Sequence, residues 1–443
     1  MVSAAEQLAA NLNFSALGKA EELKKRIWFT LGALLVYRLG TYIPLPGIDP
    51  NIWEQVFKSQ AGGILGMFNM FAGGGINRMA IFALNIMPYI SASIIIQLLT
   101  TVSPKLEALK KEGEAGRKTL NQYTRYLTVI LAAFQSYGIA IGLQGAGNVV
   151  SEPGMFFLIS TSVTLTGGTM FLMWLGEQIT SRGIGNGISL IILAGIVAEL
   201  PSALASMLEL GRQGALSTPL ILIVIIMSVV VIAFIVFMER AQRRLLIQYP
   251  KRQVGNKMFE GQSSHLPLKL NTSGVIPPIF ASSLLLLPTT VANFNAGSGP
   301  EWFQWLNTQL SHGRPLFLFC YLALIVFFAF FYTAIVFNPT ETADNLKKHG
   351  GFIPGIRPGE RTAEYIDYVL SRVTVLGAAY LAIVCLIPEI LISYASVPFY
   401  FGGTSLLIVV SVTMDTVAQV QGYLLAHQYE GLIRKSKLRG RRR

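Results

Sequence analysis

The chain has 443 residues, of which 13% are charged and 52% are AVILMFWYC residues, with a formal charge of +12 and a mean hydropathy of +0.52. Soluble domains carry about 25% charged residues; here the charge is missing in blocks, which excludes a string of ordinary soluble domains. The basic residues lie between the apolar runs rather than on a separate domain, which argues against a nucleic-acid-binding module.

The N-terminal segment 1–26 is polar, contains glutamates and does not read as a cleavable signal. Ten stretches then read as membrane spans: 27–44, 79–101, 122–144, 155–177, 187–209, 218–239, 272–292, 315–337, 372–393 and 402–424. Each is of a length that crosses a hydrocarbon core about 30 Å thick as a helix. They do not alternate as barrel strands do, and a helix satisfies its own backbone groups in lipid. The fold class predicted is an all-α membrane protein of ten helices in two five-helix halves, divided near Gly211–Pro219. The halves are 27–210 and 211–424, and a basic tail, 425–443, comes after them.

Between the first two spans lies AGGILGMFNMFAGGGIN (61–77). A helix over Ile64–Asn77 is about 21 Å long at about 1.5 Å per residue, too short to span. Glycines on both sides supply hinges. Such a segment is an interfacial helix on the outer surface or a movable stopper packed in a cavity.

The second span contains Asn85-Ile86-Met87-Pro88-Tyr89-Ile90-Ser91-Ala92-Ser93, and Pro88 predicts a kink. Ile86 and Ile90 share a helix face, and Ile188 and Ile192 repeat the spacing in the fifth span. Most such isoleucines face lipid or a neighbouring helix; a converging collar would block water and ions by dewetting. Ser91 and Ser93, Gln135 in the third span, and Asn271 and Ser273 at the seventh are polar. They are helix–helix glue or a polar seam that opens between helices.

Loop charge fixes the orientation. Apart from Arg38, Lys58, Arg78, Arg212 and Arg314, every Lys and Arg falls in the loop set that includes both termini. That set is cytoplasmic by the positive-inside rule. Two of its loops, 240–270 and 338–371, are long. The first contains the basic run RAQRRLLIQYPKRQVGNK; the second contains HGGFIPGIRPGERT, whose Gly and Pro residues predict stiff turns presenting Arg357 and Arg361. Basic loops of this kind suit nucleic-acid phosphates or an acidic protein surface.

An ion-coupled transporter of a small solute is the rival reading. Such proteins carry ionisable groups near the membrane centre. Here Glu177, Glu199, Glu239 and Glu389 sit toward span ends, and Asp415 and Arg38 are the main intramembrane charges. An enzyme is the weaker alternative, since no nucleophile–base pair, metal cluster or phosphate-binding loop stands out.

The segments IFALNIMPYISASIIIQLL (81–99) and MWLGEQITSRGIGNGISLII (173–192) resemble the two signature segments of the SecY family. The likeness continues through HLPLKLNTSGVIPPIFASS (265–283), residues 331–367 and VPFYFGGTSLLIVV (397–410). Asn85 departs from it, because the family's first signature usually has glycine there. The resemblance implies a protein-conducting channel. It would move signal-sequence-bearing preproteins across the bacterial cytoplasmic membrane and release membrane segments sideways into lipid. It also implies site roles. Ile86, Ile90, Ile188, Ile192, Ile279 and Ile408 match the family's pore ring. Residues 64–77, with Ile64, Met67, Phe68, Asn69, Met70, Phe71, Gly73 and Gly74, match its plug. Ser91, Gln135 and Asn271 match its lateral gate, and the loops with Arg243, Arg244, Lys251, Arg252, Arg357 and Arg361 match those that dock a motor or a ribosome. The implied partners are the membrane subunits SecE and SecG, the SecA motor ATPase and the ribosome. Neither catalysis nor a cofactor is implied.

Overall fold

The computed structural model describes residues 21–60, 69, 72–145, 149–214, 217–250, 252–254, 257–259, 263–294, 309, 314–395 and 403–440. Its helices are α1 (Glu21–Gly40), α2 (Pro50–Gln60), α3 (Met87–Val102), α4 (Pro104–Lys111), α5 (Glu114–Gly145), α6 (Met155–Arg182) and α7 (Gly187–Arg212). They continue as α8 (Thr218–Arg240), α9 (Ile276–Phe294), α10 (Pro315–Val336), α11 (Pro339–Lys348), α12 (Glu360–Ala395) and α13 (Gly403–Gly440). All ten predicted stretches carry helix. Among the described residues, seven helices are long and apolar enough to cross a membrane by length and composition, or eight if the pair α3–α4, bent by 100°, is one span.

Sequence chemistry places the helix ends. Proline occupies the first turn of α3, α4, α8, α10 and α11, where its missing N–H leaves no helix bond unmade. The Asn338 side chain caps α11 by accepting from the N–H groups of Thr340 and Glu341. Along α8, Leu222, Ile225 and Val229 are exposed, as expected of a helix apolar on all sides and bathed in lipid.

The second predicted span needs correction. Its first part, 79–86, is a chain of turns, and helix begins only at Met87. Met79 and Asn85 have φ of 44° and 49°, a left-handed conformation that ends any α-helix passing through it. Pro88 therefore opens α3 and kinks nothing. The loop after α8 also differs from a plain basic loop, because it folds into two antiparallel ribbons. β1 (Gln242–Gln248) pairs with β4 (Ser263–Lys269), and β2 (Arg252–Val254) pairs with β3 (Lys257–Phe259).

By packing, the chain divides into two compact units. One comprises Met1–Ala205, Pro288–Gln304 and Val412–Arg443; the other comprises Ser206–Leu287 and Trp305–Ser411. In the first unit α5 packs on both α3 and α6. Leu45, Trp53 and Phe57 join Met79, Leu143 and Phe157 in a buried cluster. The connection after α6 is pinned by polar groups: Ile184 N–H donates to Thr30 Oγ1 at 3.1 Å, and Gly185 N–H donates to Gln419 Oε1 at 2.9 Å. In the second unit α10 packs on α12. Phe280 meets Phe328 edge-on, and the Tyr321 and Thr404 hydroxyls are hydrogen-bonded at 2.8 Å. Gly403 lies so close to the Val384 carbonyl that a Cβ would collide with it.

Candidate functional site

The matched isoleucines sit at helix starts or within helices. Ile86 immediately precedes α3, and its carbonyl accepts from Ile90 N–H at 3.1 Å, so the two are stacked one turn apart. Both are buried. In α7, Ile188 and Ile192 are likewise one turn apart; Ile192 is buried and Ile188 half-buried. Ile188 packs toward Gly176 of α6, where a Cβ would stand 3.1 Å from its Cγ1. These four belong to the first unit. Ile279 in α9 is half-buried, Ile408 in α13 is fully buried, and both belong to the second.

In the glycine segment, Ile64, Met67, Phe68, Met70 and Phe71 lie outside the described residues. Asn69 is buried and organises the turn over residues 73–77. Its carbonyl accepts from Gly74 N–H at 2.9 Å, and its side-chain Oδ1 accepts from Asn77 N–H at 2.8 Å. Gly73 and Gly74 both have positive φ, 61° and 80°, which favours glycine at each. The Trp53 indole N–H donates to the Ile76 carbonyl at 2.7 Å. The turn's carbonyls are thus met partly by its own N–H groups, as at Ala72, Gly74 and Gly75, and partly by side chains, as backbone buried within a membrane protein requires.

Ser91 is buried in α3, and Gln135 is half-buried in α5. Asn271, in the second unit, is buried just before α9. Its amide donates to Glu239 Oε1 at 2.6 Å and to the Gly274 carbonyl at 3.1 Å, while Ser273 Oγ donates to Asn271 Oδ1 at 3.1 Å. Sequence reading missed Glu239 as a member of this group. The two residues are far apart in the chain, and no local pattern joins them. Gly377 of α12 fits closely against the Leu270 carbonyl and so presses on the same connection.

The loops 240–270 and 338–371 of the second unit are joined to one another. Gln248 and Phe352 exchange both backbone hydrogen bonds, at 2.9 and 3.0 Å. Beneath this bridge Leu245 and Leu268 of the ribbon share a core with Ile353 and Ile366. Gly351 leaves room for the Tyr249 ring, which a Cβ would approach to 3.0 Å. Arg243 and Arg244 are exposed on β1, opposite Leu268 and Pro267. Arg357 is exposed on the other loop, its carbonyl accepting from Thr362 Oγ1 at 2.9 Å, and Arg361 is exposed in the first turn of α12. Arg252 falls on β2, and Lys251 lies outside the described residues.

The long apolar helices define a multi-pass membrane protein. The fold is shared with two solved structures. One is described as "The plug domain of the SecY protein stablizes the closed state of the translocation channel and maintains a membrane seal", with a TM-score of 0.64, 18% identity and coverage of 90% of this chain and 92% of that one. The other is Sec61 in the canine ribosome–channel complex from the endoplasmic reticulum, with a TM-score of 0.61, 17% identity and coverage of 90% and 92%. The SecY family model matches residues 80–417. A protein translocase subunit SecY from Vibrio cholerae is 56% identical over 432 residues, covering 96% of this chain and 97% of that protein. The chain belongs to the SecY family. The solute-transporter alternative is left without support.

Proposed function

We propose that the protein is the protein-conducting channel of a bacterial translocase, moving secretory proteins across the cytoplasmic membrane and releasing apolar segments sideways into lipid. The observation that carries this is identity of 56% to a translocase subunit over 96% of the chain. In this reading Ile86, Ile90, Ile188, Ile192, Ile279 and Ile408 form the constriction. Branched aliphatic side chains suit that role: they yield to a passing chain, offer it no hydrogen bonds and shed water when idle. Residues 64–77 act as the stopper, hinged at their glycines. Ser91, Gln135 and Asn271 line the seam through which a signal sequence, itself an apolar helix, reaches lipid. Its preference for the opened seam shifts the closed–open equilibrium.

The two halves are 27–210 and 211–424, and both termini face the cytoplasm. The joined loops with Arg243, Arg244, Lys251, Arg252, Arg357 and Arg361 dock the SecA motor or a ribosome, the source of energy for movement. SecE and SecG are the membrane companions. The chain itself acts as a conduit and not as an enzyme.

The test is cysteine crosslinking of a stalled secretory chain. Cysteines at Ile86, Ile192 and Ile279 are expected to link to it efficiently, and cysteines at the exposed positions Val229 and Phe319 are not. Equal linking at both sets would sink the central-pore reading.

A further inference from the structure

Arg38 is one of the few basic residues outside the cytoplasmic set, and the channel reading gives it no task. It lies near the end of α1, half-buried. One face of its guanidinium engages the glycine turn: Nη1 donates to the Gly73 carbonyl at 2.5 Å and contacts Thr41 Oγ1 at 3.4 Å. The other nitrogen, Nη2, donates to the Tyr42 hydroxyl at 3.1 Å. The same tyrosine ring accepts two cations, with the Arg38 guanidinium 4.9 Å and the Arg78 guanidinium 4.1 Å from its centre. Arginine within membrane proteins is commonly settled by backbone carbonyls, and an aromatic face adds further attraction. Here both are supplied by the segment that leads out of the glycine turn and the end of α1.

Gly73 is also confined from behind. A Cβ there would lie 2.9 Å from Gly195 Cα of α7 and 3.0 Å from the Tyr37 hydroxyl. The turn is therefore wedged between α1 and α7, with its carbonyl turned to Arg38. Gly74 is similarly close to the Glu199 carboxylate and to Arg78. Every group named belongs to the first unit.

We infer that Arg38 is a positioning residue that clamps the Gly73–Gly75 turn to α1, and that breaking this clamp is a step in opening the channel. The inference rests on reading 64–77 as the stopper. The bond is charge-assisted, the stronger kind of hydrogen bond. Its fork to Gly73 and Tyr42 needs a planar guanidinium, which a lysine ammonium does not reproduce.

The test uses the full chain assembled with its membrane companions, in vesicles and in cells. Arg38→Met keeps an apolar stem and removes the donors; Arg38→Lys keeps the charge and loses the fork. Two quantities are read per assembled channel: ion leak through idle channels, and export of a secretory protein whose signal sequence is weakened by a charged residue. Both are expected to rise about tenfold in Arg38→Met, the change that accompanies loss of about 1.4 kcal/mol from the closed state. Arg38→Lys is expected to give a smaller rise, about threefold. A purely structural role lowers the amount of assembled channel without raising either quantity, and that result overturns the clamp. If Arg38→Met does not assemble, Arg38→Lys decides on the same two readouts, with wild-type values overturning the inference. An intact preprotein is run through the wild type in parallel. Absence of transport there sinks the channel reading itself, whereas normal transport with unaltered Arg38 variants sinks the clamp alone.

Discussion

The β1–β4 ribbon and the glycine turn are both non-helical, yet they satisfy their backbones in different ways. In the ribbon, β1 and β4 pair residue for residue from Gln242↔Lys269 to Gln248↔Ser263, and Arg243 and Arg244 are exposed. In the turn the ladder is irregular and side chains supplement it: the Ala72, Gly74 and Gly75 carbonyls accept from the N–H groups of Gly75, Arg78 and Ala80, Gly73 is met by Arg38, and Ile76 by Trp53 as well as by Met79 N–H. Water at the ribbon tolerates an imperfect bond. Packed protein around the turn does not, because a buried polar group left unpaired costs about 1–3 kcal/mol. Substitutions in the buried turn are therefore expected to be felt more than substitutions in the ribbon.

Substitutions at three positions test that difference, in falling order of effect. Gly73→Val places a branched side chain at a φ of 61° and against Gly195 Cα; the loss is expected to reach about 3 kcal/mol. It is measured as a lower denaturation midpoint of the purified protein, and a midpoint within error of wild type would refute the wedged turn. Asn85→Val, at a φ of 49° and buried, is expected to cost about 1–2 kcal/mol, while Asn85→Gly stays within about 0.5 kcal/mol because glycine accepts the same backbone angle. Comparing their midpoints separates backbone strain from side-chain packing: equal losses in both would show that the Asn85 side chain, and not its φ, matters. Gly351→Ala meets only the edge of the Tyr249 ring and a methyl of Ile247. A loss of about 1 kcal/mol is expected, read locally as faster trypsin cleavage of the ribbon; unchanged cleavage would mean that the ring simply swings aside.

The same contrast separates the parts of the molecule that were legible in the sequence from those that were not. The helices were, because a run such as TPLILIVIIMSVVVIAFIVFMER admits little else in lipid. The turn over 79–86 was not: MAIFALNI is as apolar as the helix after it, and the left-handed angles at Met79 and Asn85 leave no compositional mark. Asn85 nevertheless carried a clue. Its place is usually glycine in the resemblance, and asparagine is among the few other residues that tolerate positive φ. The ribbon escaped notice because only Leu245 and Ile247 of QRRLLIQ are buried, too short an alternation to stand out in a basic loop. The pairing of Asn271 with Glu239 and the grip of Arg38 on Gly73 both join residues distant in the chain, and only the folded chain brings such partners within reach.

The exchange of backbone bonds between Gln248 and Phe352 makes a yoke of the loops 240–270 and 338–371. Through Ile353 the second loop also shares a core with Leu245 and Leu268, on the strands that follow α8 and precede α9. Neither loop can shift without disturbing the other.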